Sequence, residues 1–92
     1  MAKFDKTAVL GAGVIGASWT ALFLAAGKDV CVFDVSETVE DDVNSYVENA
    51  WSTLEQIGLA VEGRRGSLSF ASTPEDAVQD ADFVQENVPE QI

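Results

Sequence analysis

The sequence predicts an α/β domain in which a parallel sheet is covered by helices on both faces. Three observations predict it. Short apolar runs alternate with longer stretches of helix formers, in the order β-α-β-α-β-α-β. The first two runs, Thr7-Ala8-Val9-Leu10 and Val30-Cys31-Val32-Phe33, are almost continuously apolar, as in strands buried on both sides. A glycine cluster, Gly11-Ala12-Gly13-Val14-Ile15-Gly16, joins the first run to the first helical stretch.

Each element has its own warrant. Ala17 to Ala26 is rich in good helix formers and meets Gly27 where a C-terminal cap is expected. The second run ends in an acid, Asp34. From Glu37 to Ile57 the apolar residues Val39, Val43, Tyr46, Val47, Ala50, Trp51, Leu54 and Ile57 recur at helical steps, giving a long helix with one buried stripe. Its opening acids, Glu37, Glu40, Asp41 and Asp42, suit the positive end of the helix dipole and form a solvated face. They lack the alternating spacing and central glycine of a calcium loop. Gly58 stops this helix, and Gly63-Arg64-Arg65-Gly66 reads as a turn with solvated arginines. Ser67 to Phe70 is a weak third strand. Thr73-Pro74-Glu75-Asp76 supplies an N-cap, a first-turn proline and acids for a short helix through Ala77 and Val78. Asp82 to Glu86 is the fourth strand, and Asn87-Val88-Pro89-Glu90 leaves it as a loop.

Composition narrows the chemistry. With 92 residues, 47% of them hydrophobic, the chain makes one small domain with a core. A net charge of −11 leaves no basic stripe to neutralise phosphates, which excludes nucleic acid and anionic membrane surfaces as partners. The chain has no His, so it contributes no imidazole acid, base or metal ligand, and no metal site is expected. Cys31 is the single cysteine, which excludes an internal disulfide and is expected as a small buried hydrophobe. Trp19 and Trp51 are expected in the core or an interface. The N-terminal run is broken by glycines, a poor secretory signal and too short a membrane span, so a cytoplasmic setting is expected.

The glycine cluster carries the functional reading. G-x-G-x-x-G is weak alone, but here it follows a strand, opens a helix, and precedes an acid at the end of the next strand. Asp34 lies 18 residues beyond Gly16, close to the spacing of a dinucleotide fingerprint. Gly11 permits the tight turn, Gly13 lets the backbone approach a pyrophosphate, and Gly16 lets helix and strand pack closely. The helix N-terminus then holds the phosphates through backbone N–H groups. Asp34 accepts from the adenosine ribose hydroxyls and repels a 2′-phosphate, which favours NAD over NADP. The fold expectation is therefore a Rossmann-type doubly wound parallel sheet, truncated after about four strands.

With the fingerprint, Asp34, Asn49-Ala50-Trp51-Ser52-Thr53-Leu54-Glu55-Gln56-Ile57-Gly58-Leu59 and Asp82-Phe83-Val84-Gln85-Glu86-Asn87-Val88-Pro89-Glu90 in view, the chain resembles the N-terminal NAD-binding domain of the 3-hydroxyacyl-CoA dehydrogenase family over nearly its whole length. The resemblance implies hydride transfer between NAD and the 3-hydroxy group of L-carnitine or a 3-hydroxyacyl-CoA. It implies cofactor contacts from Gly11, Ala12, Gly13, Val14, Ile15, Gly16 and Asp34, and from Asn87, Val88, Pro89 and Glu90, with Glu90 on a ribose hydroxyl. The family's catalytic residues and its helical dimerisation region lie beyond this stretch. Residues 1–92 are thus expected as a partial NAD-binding domain without catalytic residues, inactive alone, from a parent that is a homodimeric enzyme with a small-molecule substrate. Two other readings share the fingerprint: the FAD-binding half of a flavoprotein, and a non-catalytic Rossmann-like interaction module.

Overall fold

The computed structural model describes residues 5–11, 13–60 and 65–87. The elements run β1 (Lys6–Leu10), α1 (Val14–Ala25), β2 (Asp29–Phe33), α2 (Val39–Gln56), β3 (Leu68–Phe70), α3 (Pro74–Val78) and β4 (Phe83–Glu86). All strand pairs are parallel, in the order β3-β2-β1-β4. The expected element order and parallel sheet are both present.

Register explains what each face carries. Val9 lies beside Val32 and Gln85, and Thr7 beside Val30 and Phe83. Side chains alternate across a strand, so these residues share one face. Helices α1 and α2 cover that face, where Val9, Leu24, Val30, Val32, Val43 and Val47 are fully or almost fully buried. Burying one such aliphatic side chain contributes about 1.5–3 kcal/mol. The two helices are bridged by a hydrogen bond between the Ser18 and Tyr46 hydroxyls at 2.8 Å.

The opposite face carries Ala8, Cys31 and Ser69, and α3 alone crosses it among the described elements. A helix of five residues covers little of it. A cavity of about 280 Å³ remains, lined in part by Lys6, Cys31, Ser69, Ala77 and Asp80. Cys31 is consequently half-buried, not buried as its apolar run suggested. In β2, burial alternates: Val30 and Val32 are buried, Cys31 and Phe33 only partly.

Local signals hold at most element ends. Thr73 Oγ1 accepts from the Asp76 N–H at 3.1 Å, with Pro74 following in the first turn. Helix α1 starts at Val14, three residues before the expected Ala17, so its first turn lies inside the glycine cluster. The stripe of α2 stops at Leu54; Ile57 is the C-cap and is 62% exposed. Arg65 is not a merely solvated charge. It pairs with Glu48 at 2.6 Å and lies over the Trp51 ring, 4.4 Å from its centroid. Arg64 lies outside the described residues.

Two long-range locks fix the strand starts. Asp82 Oδ2 accepts from the N–H groups of Asp5 and Lys6, at 3.0 and 3.2 Å. These bonds stabilise the carboxylate and hold its pKa below the ordinary 3.8. Gly66 packs against the turn from α1 to β2: its N–H donates to the Leu24 carbonyl at 3.0 Å, and a Cβ there would strike the Lys28 carbonyl.

Candidate dinucleotide site

Strand β1 is the hub of the sheet. The chain leaves it toward β2 on one side, while β4 joins from the other. Ligands of open α/β sheets bind at this kind of switch point, beyond the carboxyl ends of the strands. Here that place is bounded by Leu10 and its register partner Glu86, followed by Gly11 and Asn87.

The chain must turn from β1 into α1 immediately. Gly11 makes the turn with φ of 87°, a backbone region that side chains disfavour. Its N–H donates to the Phe33 carbonyl at 2.9 Å, tying the turn to the end of β2. Gly13 is the N-cap, and the Ala17 N–H donates to its carbonyl at 2.9 Å.

The three glycines serve different needs. A Cβ on Gly16 would run into the Gly11 carbonyl, so Gly16 is required by the fold itself. Among the described residues, a Cβ on Gly13 would meet nothing within 4 Å. Packing among the described residues therefore does not account for a glycine at position 13.

Electrostatics agree. Helix α1 has no side-chain cap and no acid in its first turn. In contrast, α2 opens with Glu40, Asp41 and Asp42, and α3 with Glu75 and Asp76. In a chain of charge −11, the N-terminus of α1 thus carries no negative side chain in its first turn, the electrostatic condition under which a helix start favours an anion. Gly13, Val14 and Ile15 are all exposed there.

Asp34 follows β2 directly and is half-buried. Its Oδ1 accepts from the Ser36 N–H at 2.8 Å, a turn that fixes the carboxylate beside the glycine loop. The next residue, Val35, is 89% exposed. Asn87 continues the ladder of β4, its N–H donating to the Leu10 carbonyl at 2.8 Å, and its Nδ2 donates to the Gly11 carbonyl at 3.4 Å.

The fold thus brings Gly11, Gly13, Val14, Ile15, Gly16 and Asn87 to the carboxyl end of β1 and β4, with Asp34 at the end of the neighbouring strand. Ala12, Val88, Pro89 and Glu90 lie outside the described residues. Gln85 was not singled out from the sequence, although a lone amide in an apolar strand is a readable signal; its Nε2 donates to Asn87 Oδ1 at 3.1 Å. Among the described residues, no cluster of three or more Cys, Asp or Glu could hold a metal ion. No helix among them is long and apolar enough to cross a membrane.

Comparison with known proteins agrees with this geometry. The model of the 3-hydroxyacyl-CoA dehydrogenase NAD-binding domain matches residues 6–92. An L-carnitine dehydrogenase of Burkholderia mallei is 49% identical over 88 residues, 96% of this chain and 27% of that protein. One from a Pseudomonas species is 46% identical over 85 residues, 92% of this chain and 26% of that protein. The chain therefore spans about a quarter of the length of these relatives. Among solved structures, a 5-formyl-3-hydroxy-2-methylpyridine 4-carboxylic acid 5-dehydrogenase, described as an NAD+-dependent dismutase, superimposes with a TM-score of 0.80 at 30% identity. The match covers 97% of this chain and 29% of that one.

Proposed function

The chain belongs to the 3-hydroxyacyl-CoA dehydrogenase family through its NAD-binding domain, and on that premise we propose that it holds the adenosine and pyrophosphate half of NAD for a carnitine-type 3-hydroxy dehydrogenase. The observation that carries this reading is the open space over Gly13 beside a Gly16 jammed against Gly11. These features support a pyrophosphate lying over Gly13, at the uncapped start of α1.

In this reading, residues 1–92 form a partial Rossmann domain. Gly11, Ala12, Gly13, Val14, Ile15 and Gly16 line the pyrophosphate. Asp34 accepts from the adenosine ribose hydroxyls and disfavours a 2′-phosphate, while exposed Val35 offers apolar surface to the adenine. Asn87, Val88, Pro89 and Glu90 continue toward the nicotinamide ribose. NAD, when bound, supplies the hydride acceptor for a C3 alcohol. Removing the hydroxyl proton needs a base, and none of the chain's residues is assigned that role. On this reading the whole protein is a cytoplasmic homodimer acting on the 3-hydroxy group of L-carnitine or a 3-hydroxyacyl-CoA.

Calorimetric titration with NAD, ADP-ribose, NADP and FAD tests the reading. NAD and ADP-ribose should bind with similar affinity, and NADP and FAD more weakly. Equal binding of NADP overturns the role of Asp34. Failure of ADP-ribose to bind overturns the assignment as a whole.

A further inference from the structure

Sequence separation hides a short chain of amides beneath the glycine loop. Gln85 lies beside Val9 in the sheet, and Val9 faces α1. By strand alternation Gln85 and Asn87 share that side, below the start of the helix. Gln85 Nε2 donates to Asn87 Oδ1 at 3.1 Å, and Asn87 Nδ2 donates to the Gly11 carbonyl at 3.4 Å. The same Nδ2 lies 3.4 Å from where a Cβ on Gly16 would sit. Both side chains are partly buried.

We propose that Gln85 is a positioning residue for the phosphate loop: it fixes the Asn87 amide so that its NH2 group holds the Gly11 carbonyl, and thereby sets the loop in the shape that accepts a pyrophosphate. This rests on the cofactor reading of the same loop.

The physical argument concerns orientation. An Asn amide can present either its oxygen or its nitrogen to a neighbour. A carbonyl oxygen facing another carbonyl is repulsive, so only one orientation supports Gly11. With Nδ2 on the Gly11 carbonyl, Oδ1 faces Gln85, and the Gln85 Nε2 that donates to it supports that orientation. A peptide carbonyl left without this partner is free to rotate toward the crevice, where it would oppose an anion. Gly11 itself tolerates such rotation, because it has no Cβ to restrain it. Gly16 backs this carbonyl from within the loop, and Asn87 adds a hydrogen bond to it from the end of β4. Beside its place in the segment leading toward the nicotinamide ribose, Asn87 thus also acts on the pyrophosphate through Gly11.

The test compares the wild-type chain with Gln85→Met, which keeps the side-chain length but cannot donate, and with Gln85→Glu. The second presents an oxygen to Asn87 and should invert its amide. ADP-ribose should bind roughly three- to tenfold more weakly to Gln85→Met, the scale of one neutral hydrogen bond, and more weakly still to Gln85→Glu. Adenosine, which carries no phosphate, should bind both variants as it binds wild type, and the melting temperature should be unchanged. In the ligand-free chain, NMR should show the Gly11 and Gly16 amides and the Asn87 NH2 group displaced in both variants. Unchanged ADP-ribose affinity overturns the proposal. So does an equal loss for adenosine, which would reveal a merely structural role. If wild type binds no ADP-ribose, the cofactor reading fails; the NMR comparison then decides the amide lock alone, and unmoved resonances overturn it.

Discussion

The N–H of Gly11 donates to the carbonyl of Phe33 at 2.9 Å, so the turn after β1 is fastened to the last residue of β2. Asp34 is the next residue along. The glycine loop and the carboxylate assigned to the ribose are therefore one mechanical unit, although 23 positions separate them in sequence.

Replacing Gly11 with Ala should disturb both at once. Its φ of 87° places any Cβ against the following carbonyl oxygen, at a cost of about 1–2 kcal/mol. Urea unfolding should register that loss, and NADP discrimination should decline with it, because Asp34 shifts with the turn.

Gly13 and Gly16 should separate binding from folding. Gly13→Val should leave the unfolding midpoint close to wild type, because none of the described residues lies within 4 Å of the added Cβ, yet abolish ADP-ribose binding. Gly16→Val should lower stability by about 3 kcal/mol, the upper end for overpacking, because the obstacle is the Gly11 backbone. Thermal melts paired with calorimetry check the contrast.

Asp34→Ala should weaken NAD binding by roughly 1–3 kcal/mol, the scale of hydrogen bonds to a charged group. The same change should narrow the gap between NAD and NADP. Unaltered NAD affinity in that titration removes Asp34 from the site.

Acid should loosen the start of β1. The Asp82 carboxylate is favoured in the fold by the N–H groups of Asp5 and Lys6, so its pKa lies below 3.8. A group with a depressed folded pKa contributes its full stability above the unfolded value and loses it as pH falls through the folded one. Asp82→Asn should therefore be less stable than wild type at neutral pH. That difference should shrink as pH falls below 3.8. Denaturation midpoints measured across the acid range check this; a constant difference contradicts it.

Topology and the glycine loop were legible because their signals are local. Apolar runs, helical spacing and the Thr73-Pro74 cap each occupy a few consecutive residues, and the acid after β2 sits at a fixed distance from Gly16. The amide chain from Gln85 to Gly11 was not legible, because it joins opposite ends of the chain across the β1–β4 seam. Gly66 shows the same limit: a turn was readable, its collision course with Lys28 was not. Cys31 misled because an apolar run reports that a strand is central, not that both its faces are equally covered. The start of α1 reads late in the sequence because glycines argue against helix, while here Gly16 lies inside the helix at a place where a Cβ would strike the Gly11 carbonyl.

That contact has a thermodynamic consequence. A loop that folds only around its ligand loses chain entropy at the moment of binding, which weakens the affinity obtained from a given set of contacts. Here the first turn of α1 already rests on the Gly11 carbonyl, so the chain entropy of that turn is lost during folding. Ordering of that turn should then add nothing to the heat-capacity change of binding, which the apolar area buried with the ligand sets there.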